Sequence, residues 1–261
     1  MSASAPVRLA ELTWPQVRVR VDAGWTTIIL PLGATEQHGL HLPLSVDTEI
    51  AGHLAEAVAA RLGRCLVAPV VALGCSAHHL AFAGSMSLSH DTLARVIVES
   101  CQSLALHGFR RILVVSGHAG NVPAMRQAVE SLGTPDGYTV EAFSDWARYR
   151  APLYAVGAEA GMTPPQIGSH AGHYETALML RMRPALVRMT EARRGYIGEP
   201  AESGARLRAG GMQSLSDIGV IGDPTGATAA LGDRYFDAMV GAMVTYFSSG
   251  AAAAAGAGRT A

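Results

Sequence analysis

The sequence predicts an α/β fold in which a mostly parallel β-sheet is sandwiched between helices. Apolar, β-rich runs alternate along the chain with segments of helical periodicity, and glycines close several of them. At 261 residues the chain is long enough to bury a sizeable core. Strands and helices that alternate in this way form a parallel sheet covered on both faces, and ligands bind beyond the carboxyl ends of its strands.

The first predicted elements are a strand, a helix and a second strand. The run TTIILPLG, residues 26–33, is apolar and β-branched and ends in glycine. Residues 48–63 follow with helical periodicity and a closing glycine. The run CLVAPVVALG, residues 65–74, predicts another strand, and its Pro69 favours an edge position or a bend.

Residues 87–109 are predicted to form a long helix. Ser89 or His90 lies near its N-cap, and Gly108 lies at its end. Apolar residues recur at helical spacing along one face: Leu93, Val96, Ile97, Cys101 and Leu104. We therefore expect this face to be buried.

Residues 110–133 predict a further strand, a glycine-rich loop and a helix, which Asn121 is expected to cap. The run YTVEAF, residues 138–143, supplies one more strand. Since ligands bind at the carboxyl ends of parallel strands, the chemistry is expected in three loops. These loops follow residues 31, 74 and 115.

A single domain is expected over residues 1–247, because no internal repeat is visible. Its last third, from about residue 185, is expected to form a less regular lobe around the same site. Residues 248–261, SSGAAAAAGAGRTA, are low in complexity and have nothing to pack. We expect this Ala/Gly-rich tail to be disordered.

Composition limits the chemistry and the partners of the protein. The formal net charge is −1 and only 16% of residues are charged, so neither nucleic acid nor an anionic membrane is a predicted partner. Every basic side chain is arginine, which excludes lysine nucleophiles and Schiff bases. No apolar run reaches the length of a membrane span, and no secretory leader is evident. A cytoplasmic enzyme is the expectation.

The three cysteines, Cys65, Cys75 and Cys101, lie at unpatterned spacing and form no CxxC motif. Such cysteines are more often buried thiols than catalytic groups. We therefore expect them to belong to the core.

An unusual group of acidic and imidazole side chains follows the first predicted strand, in LPLGATEQHGLHLPLSVDTEIA, residues 30–51. Glu36 and His38 lie two residues apart, so an extended backbone points both side chains the same way. They could share a metal. Asp47 follows after a loop restricted by prolines, and its carboxylate has two oxygens that can bridge a pair of ions.

Two further residues are candidates for the same site. His118 follows another strand in SGHAGN, where glycines let the backbone approach a ligand. Glu175 opens a predicted buried helix, where a carboxylate is costly unless it is paired or coordinated. Two imidazoles and three carboxylates suit Zn(II), Mn(II) or Fe(II), and a pair of such ions lowers the pKa of bound water to about 7.

Each of these residues also has a structural interpretation. A single histidine in a glycine-rich loop, such as His118, more often completes a turn or a hydrogen bond than binds a metal. Glu36 and His38, taken alone, fit either role. The metal interpretation is favoured because three separate segments place acidic or imidazole groups just beyond strand ends.

Four motifs together resemble the creatininase family of metal-dependent amidohydrolases, over roughly residues 8–247. In chain order they are GATEQHGLHLPLSVDT, SGHAGN, HAGHYET and GVIGDPTGATAALG. The resemblance implies a three-layer α/β/α fold, a binuclear metal centre and a homo-oligomer, commonly a hexamer. It also implies four metal ligands, with Asp47 as the bridge: Glu36, His38, Asp47 and His118.

The chain departs from the family pattern at Gly120. Creatinine-hydrolysing members have a glutamate there, in a GHYEN motif, whereas this chain reads GHAGN. The resemblance implies that Glu175, from the later motif, takes this place in the metal shell. It further implies that His170 is the catalytic group that gives a proton to the leaving nitrogen. His173 could lie on the surface or behind the ligands.

The resemblance implies hydrolysis of an amide C–N bond in a cyclic amide, a formamide or a similar small substrate. The aromatic pair that closes over creatinine is not evident, because Trp146 is followed by no further tryptophan. The pattern IGVxGDPTxATAAxG supports an alternative, a mycofactocin-type peptidase that trims the C-terminus of a precursor peptide. A second alternative is a member that binds metal or ligand without turnover. Asp223 and Pro224, within that pattern, are interpreted as a turn that leads into a helix.

Overall fold

A computed structural model describes residues 8–249 of the chain. Four strands and nine helices make up this part, in the following order: α1 (Trp14–Asp22), β1 (Thr27–Leu32), α2 (Val46–Leu62), β2 (Cys65–Val67), α3 (His90–Leu106), β3 (Arg111–Ser116), α4 (Val122–Leu132), β4 (Thr139–Ala142), α5 (Trp146–Glu159), α6 (Pro164–Ile167), α7 (His173–Met182), α8 (Pro200–Gly210) and α9 (Ala229–Ser248). Short 3₁₀ turns connect several of them.

The four strands form one parallel sheet in the order β2-β1-β3-β4. Thr27 at the start of β1 aligns with Cys65 of β2 and with Arg111 of β3. Because all four strands run the same way, their carboxyl ends meet at one edge. The predicted parallel sheet is confirmed.

Both faces of the sheet are covered. The adjacent residues Ile28 and Ile29 of β1 are fully buried, yet they belong to separate hydrophobic clusters on opposite faces. Residues from α2, α5, α7 and α9 make up the cluster around Ile29, and residues from α1, α3 and α4 make up the one around Ile28. Successive strand residues point to opposite faces, so the fold has three layers.

The long helix predicted from residue 87 is α3, and it packs as expected. Ser89 caps its N-terminus, because the Ser89 side chain accepts a hydrogen bond from the Thr92 amide at 3.1 Å. On the predicted apolar face, Leu93, Ile97 and Cys101 are buried. Burying each large apolar side chain of this kind stabilises the fold by about 1.5–3 kcal/mol.

The second strand is shorter than the sequence suggests. The prediction ran to residue 74, but β2 ends at Val67, two residues before Pro69. Proline has no amide proton to donate to a sheet ladder, which explains the early end on this edge strand. Beyond it, Val71 keeps only an isolated bridge to Leu32.

The expectation of a less regular lobe from about residue 185 is wrong for α9. Residues between α7 and α9 do form short turns around α8, but α9 is a 20-residue helix. Its buried residues recur at helical spacing and join the core against α2, α5 and α7: Tyr235, Phe236, Met239, Val240, Met243 and Phe247. Residues 250–261 of the predicted tail lie outside the described part of the chain.

The three cysteines are buried and free, as predicted. Burial raises the pKa of Cys65 and of Cys101 to about 12, and that of Cys75 to about 11. These thiols therefore stay protonated near neutral pH. Within residues 8–249, no helix is long and apolar enough to cross a membrane.

Candidate metal centre

The predicted site residues meet at the carboxyl edge of the sheet. Glu36 and His38 lie in the loop after β1, and Asp47 lies in the first turn of α2. His118 follows β3, and Glu175 lies in the first turn of α7. Parallel strands and two helix N-termini thus bring five residues from three separate segments to one buried place.

Asp47 occupies the middle of this cluster. Its Oδ1 lies 3.4 Å from His38 Nε2, and its Oδ2 lies 3.2 Å from His118 Nδ1. Each oxygen of one carboxylate therefore faces a different histidine, as a bridge between two ions requires.

The remaining carboxylates complete two groups around Asp47. Glu36 Oε2 lies 3.4 Å from His118 Nε2, and Glu175 Oε2 lies 3.8 Å from His38 Nε2. Within each group, ligand atoms lie within 4.8 Å of one another, which is a spacing that one ion can span. The two groups are Glu36, Asp47 and His118, and His38, Asp47 and Glu175.

The donor atoms fit divalent cations. Both carboxylate oxygens of Glu36, Nε2 of His38 and Oδ2 of Asp47 are buried and have no hydrogen-bond partner. Burying such atoms unpaired costs several kcal/mol, so a cluster of them is stable only if something positive lies between them. Imidazole and carboxylate are the ligands that Zn(II), Mn(II) and Fe(II) accept.

Electrostatics support the same conclusion. Burial lowers the pKa of His38, but Asp47 and the other carboxylates outweigh it and raise that pKa to about 10. His118 behaves alike, since Glu36 and Asp47 overcome the effect of burial and raise its pKa to about 9. Burial raises the pKa of Glu36 to about 7. The carboxylates therefore attract positive charge strongly into the space between them.

His170 lies beside this cluster and differs from His38 and His118 in its protonation. Its Nε2 lies 2.7 Å from the backbone carbonyl of Gln37, which requires a proton on Nε2. Its Nδ1 then carries a lone pair and lies 3.6 Å from Glu36 Oε1. Burial and the charge of His38 hold the pKa of His170 well below its usual value. His170 is thus a neutral imidazole whose basic nitrogen faces the acidic cluster.

The position of Gly120 has no room for a side chain. A Cβ there would lie 2.3 Å from Nε2 of His118 and 2.4 Å from the carbonyl oxygen of Cys75. The glutamate that the family pattern has at this position would therefore displace His118. The carboxylate of Glu175 approaches His38 from α7 instead.

Hydrogen bonds hold Glu175 in place. Tyr174 donates its hydroxyl to Glu175 Oε1 at 2.6 Å, and the amide of Ala171 donates to Oε2. Ala171 has a φ of +49°, a left-handed conformation that non-glycine residues rarely adopt. The strained turn before α7 therefore aims a backbone amide at this carboxylate.

Asn121 stands at the predicted N-cap of α4, but its side chain does not cap the helix. Its amide nitrogen donates to the carbonyl of Gly33 and to Ser116 Oγ, and its oxygen accepts from the amide of Cys75. Asn121 therefore occupies the predicted N-cap position, but its side chain does not form the predicted cap. Asn121 instead ties together the loops that follow three strands.

His173 lies away from the cluster. It is buried, and its Nδ1 lies 3.1 Å from the hydroxyl of Tyr235 on α9. Asp223 accepts hydrogen bonds from Thr225 and Arg194 in the turn that precedes α9. This agrees with the interpretation of Asp223 as a turn residue.

Two residues of the site were not singled out from the sequence. Gln37 and His79 are buried next to Glu36 and His170. The available signal was positional, since His79 lies in the loop after residue 74, where chemistry was expected. Their roles depend on tertiary contacts that spacing does not reveal.

Comparison with known proteins assigns the family. The family model Creatininase, described as creatinine amidohydrolase, matches residues 10–247. The chain belongs to the creatininase family. Its four sequence motifs all lie inside the matched region.

Two relatives have named hydrolase activities. A mycofactocin precursor peptide peptidase of Mycobacterium tuberculosis (strain CDC 1551 / Oshkosh) is 39% identical over 226 residues, which cover 82% of this chain and 81% of that protein. A creatinine amidohydrolase of Pseudomonas putida is 33% identical over 201 residues, which cover 70% and 75%.

Solved creatininase structures share the fold. One described as "Creatininase Mn" superposes with a TM-score of 0.79 at 25% identity, covering 94% of this chain and 98% of that one. A mutant creatininase described as "Zn-Zn type" gives a TM-score of 0.77 at 26% identity, with the same coverage. The predicted three-layer fold is confirmed, and this creatininase-family chain is a metal-dependent hydrolase of amide C–N bonds.

Proposed function

We propose that this protein holds two divalent cations in the cluster around Asp47 and hydrolyses the amide C–N bond of a small amide or short peptide. One observation carries the proposal. Asp47 presents one oxygen to each of two buried histidines, and each histidine has a second carboxylate beside it. In this proposal Glu36, Asp47 and His118 hold one cation, and His38, Asp47 and Glu175 hold the other.

The donor set leaves the choice of metal open among three ions. Imidazole and carboxylate donors suit Zn(II), Mn(II) and Fe(II). Among them we favour Zn(II), with Mn(II) and Fe(II) as alternatives. The family structures described with Mn and with Zn support the first two. Cations at these positions would supply a nucleophile from water at neutral pH and polarise an amide carbonyl.

His170 is proposed to move the proton of the reaction. Because its Nε2 proton is held by the carbonyl of Gln37, the free Nδ1 can accept a proton on the side that faces Glu36. The imidazolium formed in this way can then give the Nδ1 proton to the nitrogen that leaves, which returns His170 to its neutral form. Its burial excludes bulk water from the transfer.

A second candidate function is trimming of a precursor peptide at its C-terminus. Relatives named mycofactocin precursor peptide peptidase are 38–39% identical over at least 82% of this chain, compared with 33% over 70% for the creatinine amidohydrolase. The peptidase would require a peptide substrate, whereas the first candidate would turn over cyclic amides or formamides.

We also propose a cytoplasmic homo-oligomer, with a hexamer as the expectation from the family. Exposed apolar side chains on the α1 and α3 layer support contacts between copies, among them Trp14, Val19 and Leu106. Light scattering after size-exclusion chromatography measures the subunit number. A monomer at micromolar concentration would contradict this part.

Metal analysis combined with an amide panel tests the proposed function. The panel contains creatinine, other cyclic amides, formamides and short peptides, and amine release is measured with each. We expect bound divalent metal and turnover of at least one class. A protein with bound metal but no turnover would be a binding member of the fold, and a protein that binds no metal would contradict the proposal.

A further inference from the structure

His79 lies against a proposed metal ligand, Glu36, and against the proposed proton carrier, His170. It lies in a 3₁₀ turn, Ala77–His79, beyond the end of β2, and it is 1% exposed. Its Nε2 lies 3.2 Å from Glu36 Oε1, and its ring packs 4.3 Å from the ring of His170. His79 belongs to none of the possible metal groups found among the described residues.

Gln37 determines which ring nitrogen of His79 carries the proton. The amide of Gly39 donates to Gln37 Oε1 at 2.9 Å, which fixes the orientation of the Gln37 side chain. Gln37 Nε2 then points at His79 Nδ1, 2.9 Å away, so Nδ1 must accept. A neutral His79 therefore has its proton on Nε2, which faces Glu36.

Close packing around Gln37 supports this arrangement. The Gln37 side chain packs against Gly219, where any Cβ would lie 2.0 Å from Gln37 Oε1. Hydrogen bonds therefore lead from the Gly39 amide through Gln37 to Nδ1 of His79, and the opposite ring nitrogen, Nε2, faces Glu36 Oε1 at 3.2 Å.

We propose that His79 is a positioning residue that fixes Glu36 as a metal ligand by donating its Nε2 proton to Oε1. This leaves Oε2, which lies 3.4 Å from His118, free for the cation. The inference rests on the proposed function, because it assumes that Glu36 binds metal. Partners behind a ligand typically change metal affinity by about 10- to 100-fold when removed.

Four variants test the proposal, with Zn²⁺ binding measured by competition against a chromophoric chelator. His79→Phe keeps the ring but loses the donor. His79→Gln keeps an N–H near the position of Nε2, whereas His79→Asn places its amide near Nδ1. His53→Gln is the matched control, because His53 also lies beside a glutamate, Glu49, but outside the cluster.

We expect His79→Phe and His79→Asn to weaken Zn²⁺ binding by about 10-fold or more, and His79→Gln to stay within about threefold of wild type. The control should bind like wild type. Unfolding temperatures of the metal-free proteins should stay close to one another, since a purely structural role would lower them together with Zn²⁺ affinity.

Each outcome decides the question. Unchanged Zn²⁺ affinity in His79→Phe overturns the inference. If that variant does not fold, equal losses in the Gln and Asn variants overturn it, and rescue by Gln alone supports it. Failure of the wild type to bind Zn²⁺ or Mn²⁺ would instead reject the proposed function, and the inference with it.

Discussion

Asp47 is a buried carboxylate between two histidines. Its carboxylate is 2% exposed and lies between His38 and His118, which hold its pKa well below the usual range against the effect of burial. A buried carboxylate needs such partners, since an isolated one would cost far more than a surface acid. Because α2 begins at Val46, its first turn places this side chain at the edge of the sheet.

Removing a ligand should remove the metal without unfolding the protein. We predict that Glu36→Gln or His118→Ala lowers bound metal to background and abolishes turnover of any panel amide, because each deletes a donor at a shared centre. Metal analysis and circular dichroism measure the two effects. Glu99→Gln, at an exposed position on α3, is the control. Full turnover in either ligand variant would refute its assignment.

Loss of the proton carrier should separate binding from catalysis. We predict that His170→Ala keeps its metal but lowers kcat by about a hundredfold or more, on the usual scale for a lost general acid. The metal content of the purified variant and its steady-state kinetics provide the measurement. An unchanged kcat would show that another group moves the proton.

At this scale the sequence reveals residues that stand close together in one segment. Glu36, His38 and Asp47 share a single loop and helix start, so spacing alone could suggest them. Glu175 was a candidate because a carboxylate at the start of a buried helix needs a partner. Only the family pattern placed it in the same metal shell, since nothing local links it to the loop after β1. His79 was not identified, because its importance lies in one contact with Glu36.

Between elements, glycines in the loop after β3 let this loop pack closely against α2 and against the segment that contains Cys75. A Cβ at Gly117 would lie 2.3 Å from the carbonyl oxygen of Asp47, so the β3 loop and α2 touch backbone to backbone. Gly120 is as tight against His118 and Cys75. These contacts explain why the loop after β3 carries small residues around its histidine.

Filling Gly120 should therefore disturb the histidine beside it. We predict that Gly120→Ala weakens Zn²⁺ binding by about tenfold or more, because the new Cβ would displace the His118 ring. Gly226→Ala is the control, since a Cβ there meets nothing within 4 Å. Chelator competition compares the two variants. Equal affinities would contradict the packing argument.

Helix α9 offers a stabilising change. Gly241 lies within it, and a Cβ at this position would meet nothing within 4 Å. We predict that Gly241→Ala raises the free energy of unfolding by about 0.5–1 kcal/mol, because alanine loses less backbone entropy in a helix. Urea denaturation measures this, and a loss of stability would mean that another subunit or segment occupies the space.

The order of strands and helices through β4 could be predicted from periodicity and glycines. The end of β2 could not be predicted in this way, because Pro69 interrupts the hydrogen bonding to β1 earlier than the apolar run suggests. Helices α1 and α5 were not predicted, and Pro152 inside α5 works against a helical assignment. The apolar residues of α9 recur at helical spacing, so this helix could have been predicted from the sequence.

For the whole molecule, metal and stability should be linked. The unpaired buried atoms of the cluster destabilise the fold unless a cation satisfies them. We predict that chelation lowers the unfolding temperature, since a metal present at 100 times its Kd stabilises by about 2.7 kcal/mol. Differential scanning calorimetry with and without chelator provides the measurement. An unchanged unfolding temperature would contradict the linkage.

A crystal structure of the metal-replete protein, with anomalous scattering measured at the metal edges, would show whether two cations share Asp47. Two peaks are predicted, one among Glu36, Asp47 and His118 and one among His38, Asp47 and Glu175, with Asp47 contacting both ions. Side chains at these positions that turn away from one another, with no ion among them, would contradict the account.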